Sequence, residues 1–82
     1  MKGDEDLLNI KEDHQRLLAN LKLLQRIHGK AKLCEILDIS PATWTNRMKE
    51  PWRLFCYDDF RLLAIFCNVN IGTLITGELK IQ

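Results

Sequence analysis

Ser40-Pro41 restricts this chain more than any other pair of residues in it. A serine hydroxyl accepts hydrogen bonds from the free N–H groups of a first helical turn. The fixed φ of proline suits the first helical position, so a helix is expected to begin at Pro41. That helix runs to about Lys49 and ends before Pro51, which lacks the N–H needed to continue it. Just upstream, residues 31–37 read as another short helix, with Leu33, Cys34, Ile36 and Leu37 apolar. Only Asp38, Ile39 and Ser40 separate the two, which is the layout of a helix-turn-helix.

The remaining chain divides in the same way. Residues 4–28 read as one long helix, with Asp4 as N-cap and acids in the first turn, where the helix dipole favours them. Leu7, Leu8, Ile10, Leu17, Leu18, Leu21, Leu24 and Ile27 recur at helical spacing, and Gly29 ends the helix. Leu7, Ile10, His14, Leu17, Leu21, Leu24 and His28 also follow a 3-4 heptad spacing. Two readings stand: the leucines from Leu17 onward pack into the domain's own core, or Leu7 to His14 project beyond it and pair two chains. Residues 52–56 read as a loop and residues 57–67 as a helix. In that helix Phe60, Leu63, Ala64 and Cys67 share a face, which Leu62 and Phe66 adjoin. Cys56 is a weak N-cap, assisted through the dipole by Asp58 and Asp59. Asn70 caps a last short helix, residues 71–76, which Gly77 closes. Leu79 and Ile81 then alternate with polar neighbours, a weak strand signal. The expected architecture is a single all-α domain across residues 1–82, opened by an extended N-terminal helix.

Composition matters for what it excludes. The 82 residues allow one domain at most. Twelve basic against eleven acidic side chains leave a net charge of +1, yet residues 21–53 hold seven bases and three acids. The basic excess is therefore focused in the middle third, where it can favour a nucleic-acid partner. The longest apolar run, residues 62–67, is far short of the roughly 20 residues a membrane span needs. Residues 1–6 are acidic rather than basic-then-apolar, so no secretory signal is expected and the cytoplasm is. Cys34, Cys56 and Cys67 are odd in number, lack a C-x-x-C pair and have apolar or aromatic neighbours, so buried free thiols are expected and a metal site is not. No nucleophile–base pair, paired acids or glycine-rich phosphate loop stands out, so neither an enzyme nor a cofactor is expected.

Residues 30–49, KAKLCEILDISPATWTNRMK, resemble the helix-turn-helix of the lambda-repressor/Cro (XRE) family. Leu33-Cys34 stands for that family's Leu-Ala pair, and Leu37-Asp38-Ile39-Ser40 for its Leu-Gly-Val-Ser. Trp44 takes the buried apolar position of the second helix. Residues 51–75 match the flanking helices, with Pro51, Phe55, Phe66-Cys67-Asn68-Val69 and then residues 71–75. Thr43-x-x-x-Arg47-x-Lys49-x-Pro51 further resembles a branch of small phage-type regulators. The resemblance spans about residues 17–77 and implies a compact five-helix, lambda-repressor-like DNA-binding domain. Two departures are Asp38 in place of the turn glycine, where a left-handed backbone is expected, and Arg47 at a commonly apolar position. Met48 can fill the inner face beside Trp44, leaving Arg47 to lie along the edge and reach a phosphate or an acid.

The resemblance implies a sequence-specific transcriptional regulator, of phage or bacterial repressor type, that reads the major groove with residues 41–49. Asn46 can pair bidentately with adenine, and the methyl groups of Ala42, Thr43 and Thr45 can meet thymine. Lys30, Lys32, Arg47, Lys49 and Arg53 are the phosphate candidates. Trp52 either covers the edge of the core or flanks the DNA backbone with Arg53. A homodimer on a palindromic operator is expected, since one recognition helix buries too little surface for tight specific binding. Its seam is either Leu7, Leu8, Ile10 and His14 or the tail at Leu79 and Ile81. The alternative is a protein-interaction module on the same fold, an antitoxin or adaptor with little DNA binding, which the small net charge and the leucine-rich first helix favour.

Overall fold

A computed structural model describes the backbone of residues 2–79 and the side chains of residues 10–79. The described chain is all-helical: α1 (Lys2–His28), α2 (Lys30–Leu37), α3 (Pro41–Arg47), α4 (Pro51–Leu54), α5 (Tyr57–Cys67) and α6 (Ile71–Ile75). Six helices stand where five were expected. The addition is α4, a single turn inside the expected 52–56 loop. Pro51 starts it for the same reason that Pro41 starts α3: its φ is preset and its missing N–H is not needed at a first helical position. The N–H of Phe55 closes the turn on the carbonyl of Pro51 at 3.2 Å. No described helix is long and apolar enough to cross a membrane.

The 27 residues of α1 span about 40 Å at 1.5 Å per residue and account for the 44 Å long axis of the molecule. Leu17, Leu21 and Leu24 lie one turn apart on one face and are all buried, which is the first of the two heptad readings. Gly29 then turns the chain at φ +87, a value that a Cβ would strain. Upstream, Ile10 stands in solvent, but His14 does not project outward. Its ring lies flat on Trp52, with centroids 4.1 Å apart and planes 3° apart. His14 is therefore occupied within its own chain, and Trp52 covers α1 rather than standing free beside Arg53. The side chains of Leu7 and Leu8 fall outside the described residues.

The core gathers around Trp44, which is 1% exposed and takes Phe55 edge-on at 5.4 Å. Leu33, Cys34 and Leu37 of α2, Phe60, Leu63 and Ala64 of α5, and Leu74 of α6 complete it with the three leucines of α1. Ile39, Met48 and Val69 pack against its rim. Asp38 ends α2 in the left-handed region at φ 56, as expected for the residue that replaces the turn glycine.

One buried polar residue ties the two ends of the chain together. Asn20 is 5% exposed and faces the end of α6. Its Nδ2 donates to the carbonyls of Leu74 at 2.8 Å and Gly77 at 3.1 Å, and its Oδ1 accepts from the N–H of Leu79 at 3.2 Å. A helix C-terminus leaves carbonyls without partners, and here a side chain from α1 supplies the donor. Leu79 is half-buried beside this clamp and no strand forms among the described residues. The rest of the tail expected to form a strand, including Ile81, lies outside them.

The thiols divide three ways, which corrects the expectation that all are buried. Cys34 is buried, Cys56 is exposed and Cys67 is half-buried. Cys56 is the N-cap residue of α5, outside its first turn, and its N–H donates to the carboxylate of Asp59 at 3.1 Å. Asp59 thus assists the cap by a direct hydrogen bond in addition to its charge.

Candidate nucleic-acid interface

The site is built on α3, so what fixes α3 comes first. Ser40 Oγ accepts from the N–H of Thr43 at 3.1 Å, the expected cap. Trp44 is the only fully buried side chain of α3, and its indole N–H donates to Oε1 of Gln25 on α1 at 2.8 Å. Burial of the indole fixes the rotation of the helix, and the bond to Gln25 satisfies its N–H: the ring faces the core and the rest of α3 faces out. Ala42, Thr45, Asn46 and Lys49 are all exposed. Their i, i+3, i+4, i+7 spacing puts them on one side. Thr43 is half-buried, and its hydroxyl meets that of Ser40 at 2.9 Å. Of the four base-reading candidates, three therefore share the open face, and Thr43 sits at its edge.

The phosphate candidates separate. The Lys30 ammonium donates to the Thr45 hydroxyl, which holds it against α3. Lys49 is exposed and enters no ion pair among the described residues. Lys32 lies 3.9 Å from Glu35 and 5.9 Å from the Phe66 ring centroid, and Arg53 pairs with Glu50. Both ion pairs are exposed, and pairs of that kind are worth about 0–1 kcal/mol, too little to withhold a cation from a stronger partner. Arg47 differs. Its guanidinium bonds Asp59 at 3.2 Å, where the carboxylate is largely shielded, and it stands 5.8 Å from the Phe55 ring centroid. Of the phosphate and the acid within its expected reach, this structure gives it the acid, and α3 is braced against the start of α5.

An open cleft of about 550 Å³ runs between α1, α2 and α3, floored by Trp44 and Met48. Lys22, Arg26 and Lys30 line it, together with Gln25 and Thr45. No carboxylate lines it, and none of these three cations enters an ion pair among the described residues. Arg26 and His28 also occupy the last turn of α1, where the helix dipole is negative and holds cations. Lys22 and Arg26 were not among the candidates read from the sequence. Their i, i+4 spacing was visible there. Which element would lie beside that side of a 27-residue helix was not, because it depends on where α3 packs once Leu17, Leu21 and Leu24 are buried.

His28 and Cys67 meet with Nε2 and Sγ 3.9 Å apart. Burial raises the Cys67 pKa above the ordinary thiol value. That is the opposite of the shift that activates a cysteine nucleophile. Among the described residues no group of three or more His, Cys, Asp or Glu is placed to hold a metal ion. Comparison with protein-family models, with curated proteins and with solved structures finds no match to this chain, so its own geometry carries the functional argument.

Proposed function

We propose that this domain binds double-stranded DNA as a lambda-repressor/Cro-like regulator in the cytoplasm, laying α3 in the major groove. In that reading α1, α2, α3, α5 and α6 correspond to the family's five helices, and α4 is an added turn. The observation that carries it is the pairing of a small helix anchored by one buried tryptophan with a cationic cleft beside its open face. A solvated helix needs no such neighbour. A helix held in a groove of B-DNA has phosphates on both flanks, and in this reading Lys22, Arg26 and Lys30 of the cleft, with the exposed Lys49, take them. Thr45 and Asn46 then face base edges, with the Asn46 amide suited to adenine.

The test is binding to duplex DNA, first the DNA upstream of the chain's own coding sequence, followed across salt concentrations. Under this reading affinity falls steeply with salt. Asn46→Ala weakens specific binding by about 1–3 kcal/mol without changing the melting temperature. Arg26→Ala weakens binding to all sequences alike and lowers the salt slope by about 1. Absence of salt-dependent binding to any duplex rejects the reading in favour of a protein-interaction module.

A further inference from the structure

The two long sides of α3 differ in charge. At about 100° per residue, Thr45 and Met48 fall on one side of the buried Trp44, and Thr43 and Arg47 on the other. The first side borders the cleft, where Lys22, Arg26 and Lys30 stand with no carboxylate among the lining residues and no ion pair among the described ones. Lys30 is already lodged on the Thr45 hydroxyl. Lys49 falls on the open face, nearer this side than the other. The second side borders the start of α5. Arg47, the one cation of α3, is held there by Asp59 at 3.2 Å, and Asp58 precedes Asp59 in the same first turn. Arg53, beyond the end of α3, pairs with Glu50. One side therefore offers three free positive charges. On the other, each cation comes with its own acid and adds no net charge.

A helix lying along the major groove has the backbone of one strand on each side. Resting on the DNA-binding reading above, we propose that this domain grips one strand of the duplex. The cleft side of α3 takes the phosphates of the strand beside α1, and Asp59 withholds Arg47 from the phosphates of the other. The Asp59 carboxylate is fixed in this role: its side chain is 13% exposed, and the oxygen that meets Arg47 also accepts from the N–H of Cys56 at 3.1 Å. Turning Arg47 away to a phosphate leaves a shielded carboxylate without its cation, which costs more than opening an exposed pair. It also leaves that bare carboxylate on the side that faces the second strand, where it repels the phosphates. Lys22, Arg26 and Lys30 have no such tie, so they neutralise phosphates without giving up an ion pair.

The probe is the duplex that the full chain itself enriches from a random-sequence pool, ethylated at its phosphates and end-labelled on either strand in turn. In each stretch covered by one domain, the ethyl groups that block binding are expected on one strand and not on the strand across the groove. Arg26→Ala is expected to remove blocking sites from that strand. Asp59→Asn keeps an oxygen for the Cys56 N–H and releases Arg47. It is expected to add a blocking phosphate on the second strand and to steepen the fall of log affinity with log salt by about 0.9, the effect of one more neutralised phosphate. Unfolding cannot produce such a gain, and the pattern of the unaltered chain decides the proposal whether or not this variant folds. Blocking phosphates shared equally by both strands, a pattern that Arg26→Ala leaves unchanged, or a folded Asp59→Asn chain that gains neither contact nor slope overturns the one-strand grip and leaves DNA binding standing. A chain that enriches no duplex, or binds without salt dependence, overturns the DNA-binding reading and this inference with it.

Discussion

The molecule makes the same turn twice and uses it for opposite ends. At the end of α2, Asp38 takes φ 56 and ψ 49; its N–H reaches the carbonyl of Glu35 at 3.2 Å, and that of Ile39 reaches Cys34 at 3.0 Å. At the end of α5, Asn68 takes φ 55 and ψ 46; its N–H reaches Ile65 at 3.2 Å, and that of Val69 reaches Ala64 at 3.0 Å. In each case a β-branched residue follows and packs on the rim of the core, and then an N-cap, Ser40 or Asn70, opens the next helix. There the likeness stops. The helix after the first turn carries one buried residue, Trp44, and presents threonine and asparagine to solvent. The helix after the second buries Leu74 completely, half-buries Ile71 and Ile75, and has its end clamped by Asn20. A turn of this kind only re-aims the chain. The side chains that follow decide whether the next helix closes the core or is displayed.

The comparison can be broken at three depths. Trp44→Ala removes the one buried side chain of the displayed helix, whose other tie to the core side is the Arg47–Asp59 pair, and leaves the Gln25 amide without its partner. It is expected to cost about 3–5 kcal/mol, enough to unfold a domain of this size, as read from thermal or urea melting. A variant that melts like the wild type would mean that Trp44 faces outward and that α3 has another rotation. Asn20→Leu acts on the closed helix alone. It strips the donor from the carbonyls of Leu74 and Gly77, at an expected cost of about 2–3 kcal/mol, because their desolvation is no longer compensated. Hydrogen exchange should rise first in α6 and leave α3 protected, and equal loss in both helices would show that the two are not separately held. The smallest effect tests the turns themselves. Asp38→Gly and Asn68→Gly each relieve a left-handed backbone, and each is expected to change stability by less than about 1 kcal/mol, with Asp38→Gly the more favourable. Opposite signs would show that the two turns, alike in backbone, differ in strain.

The helices were legible where short-range chemistry sets them. Ser40-Pro41, Gly29, Asp38 and Asn70 mark their boundaries through caps and φ preferences that act within a few residues, and the structure ends or begins a helix at each. Trp44 was readable as core because an indole on a short amphipathic helix has few other places to go. What the sequence did not disclose depends on contacts between distant residues. Pro51 was read as a stop, although the same geometry starts α4, because whether a turn follows depends on Phe55 finding the core. Asn20 looked like one more polar position on a long helix, and its role exists only once α6 arrives. Lys22 and Arg26 share a face by their spacing, but that this face meets α3 appears only once the two helices pack together. The exposed side of α5 was hidden by its own composition, since Leu62 and Phe66 read as adjuncts of the buried face.

The Asn20 clamp also sets an order of events. Its partners, Leu74, Gly77 and Leu79, lie 54 to 59 residues further along the chain. Synthesis proceeds from the N-terminal end, so α1 is made long before the groups that satisfy Asn20 exist. Until they arrive, Leu17, Leu21 and Leu24 are only partly covered, and the longest helix of the molecule waits as an amphipathic rod with an unmatched amide in its apolar face. Docking of α6 on α1 is therefore a non-local step that has to bring distant segments together, unlike the local formation of each helix. A growing chain held by a neighbour, or stalled short of residue 79, would stay sticky along α1 although every boundary signal for its first five helices is already in place.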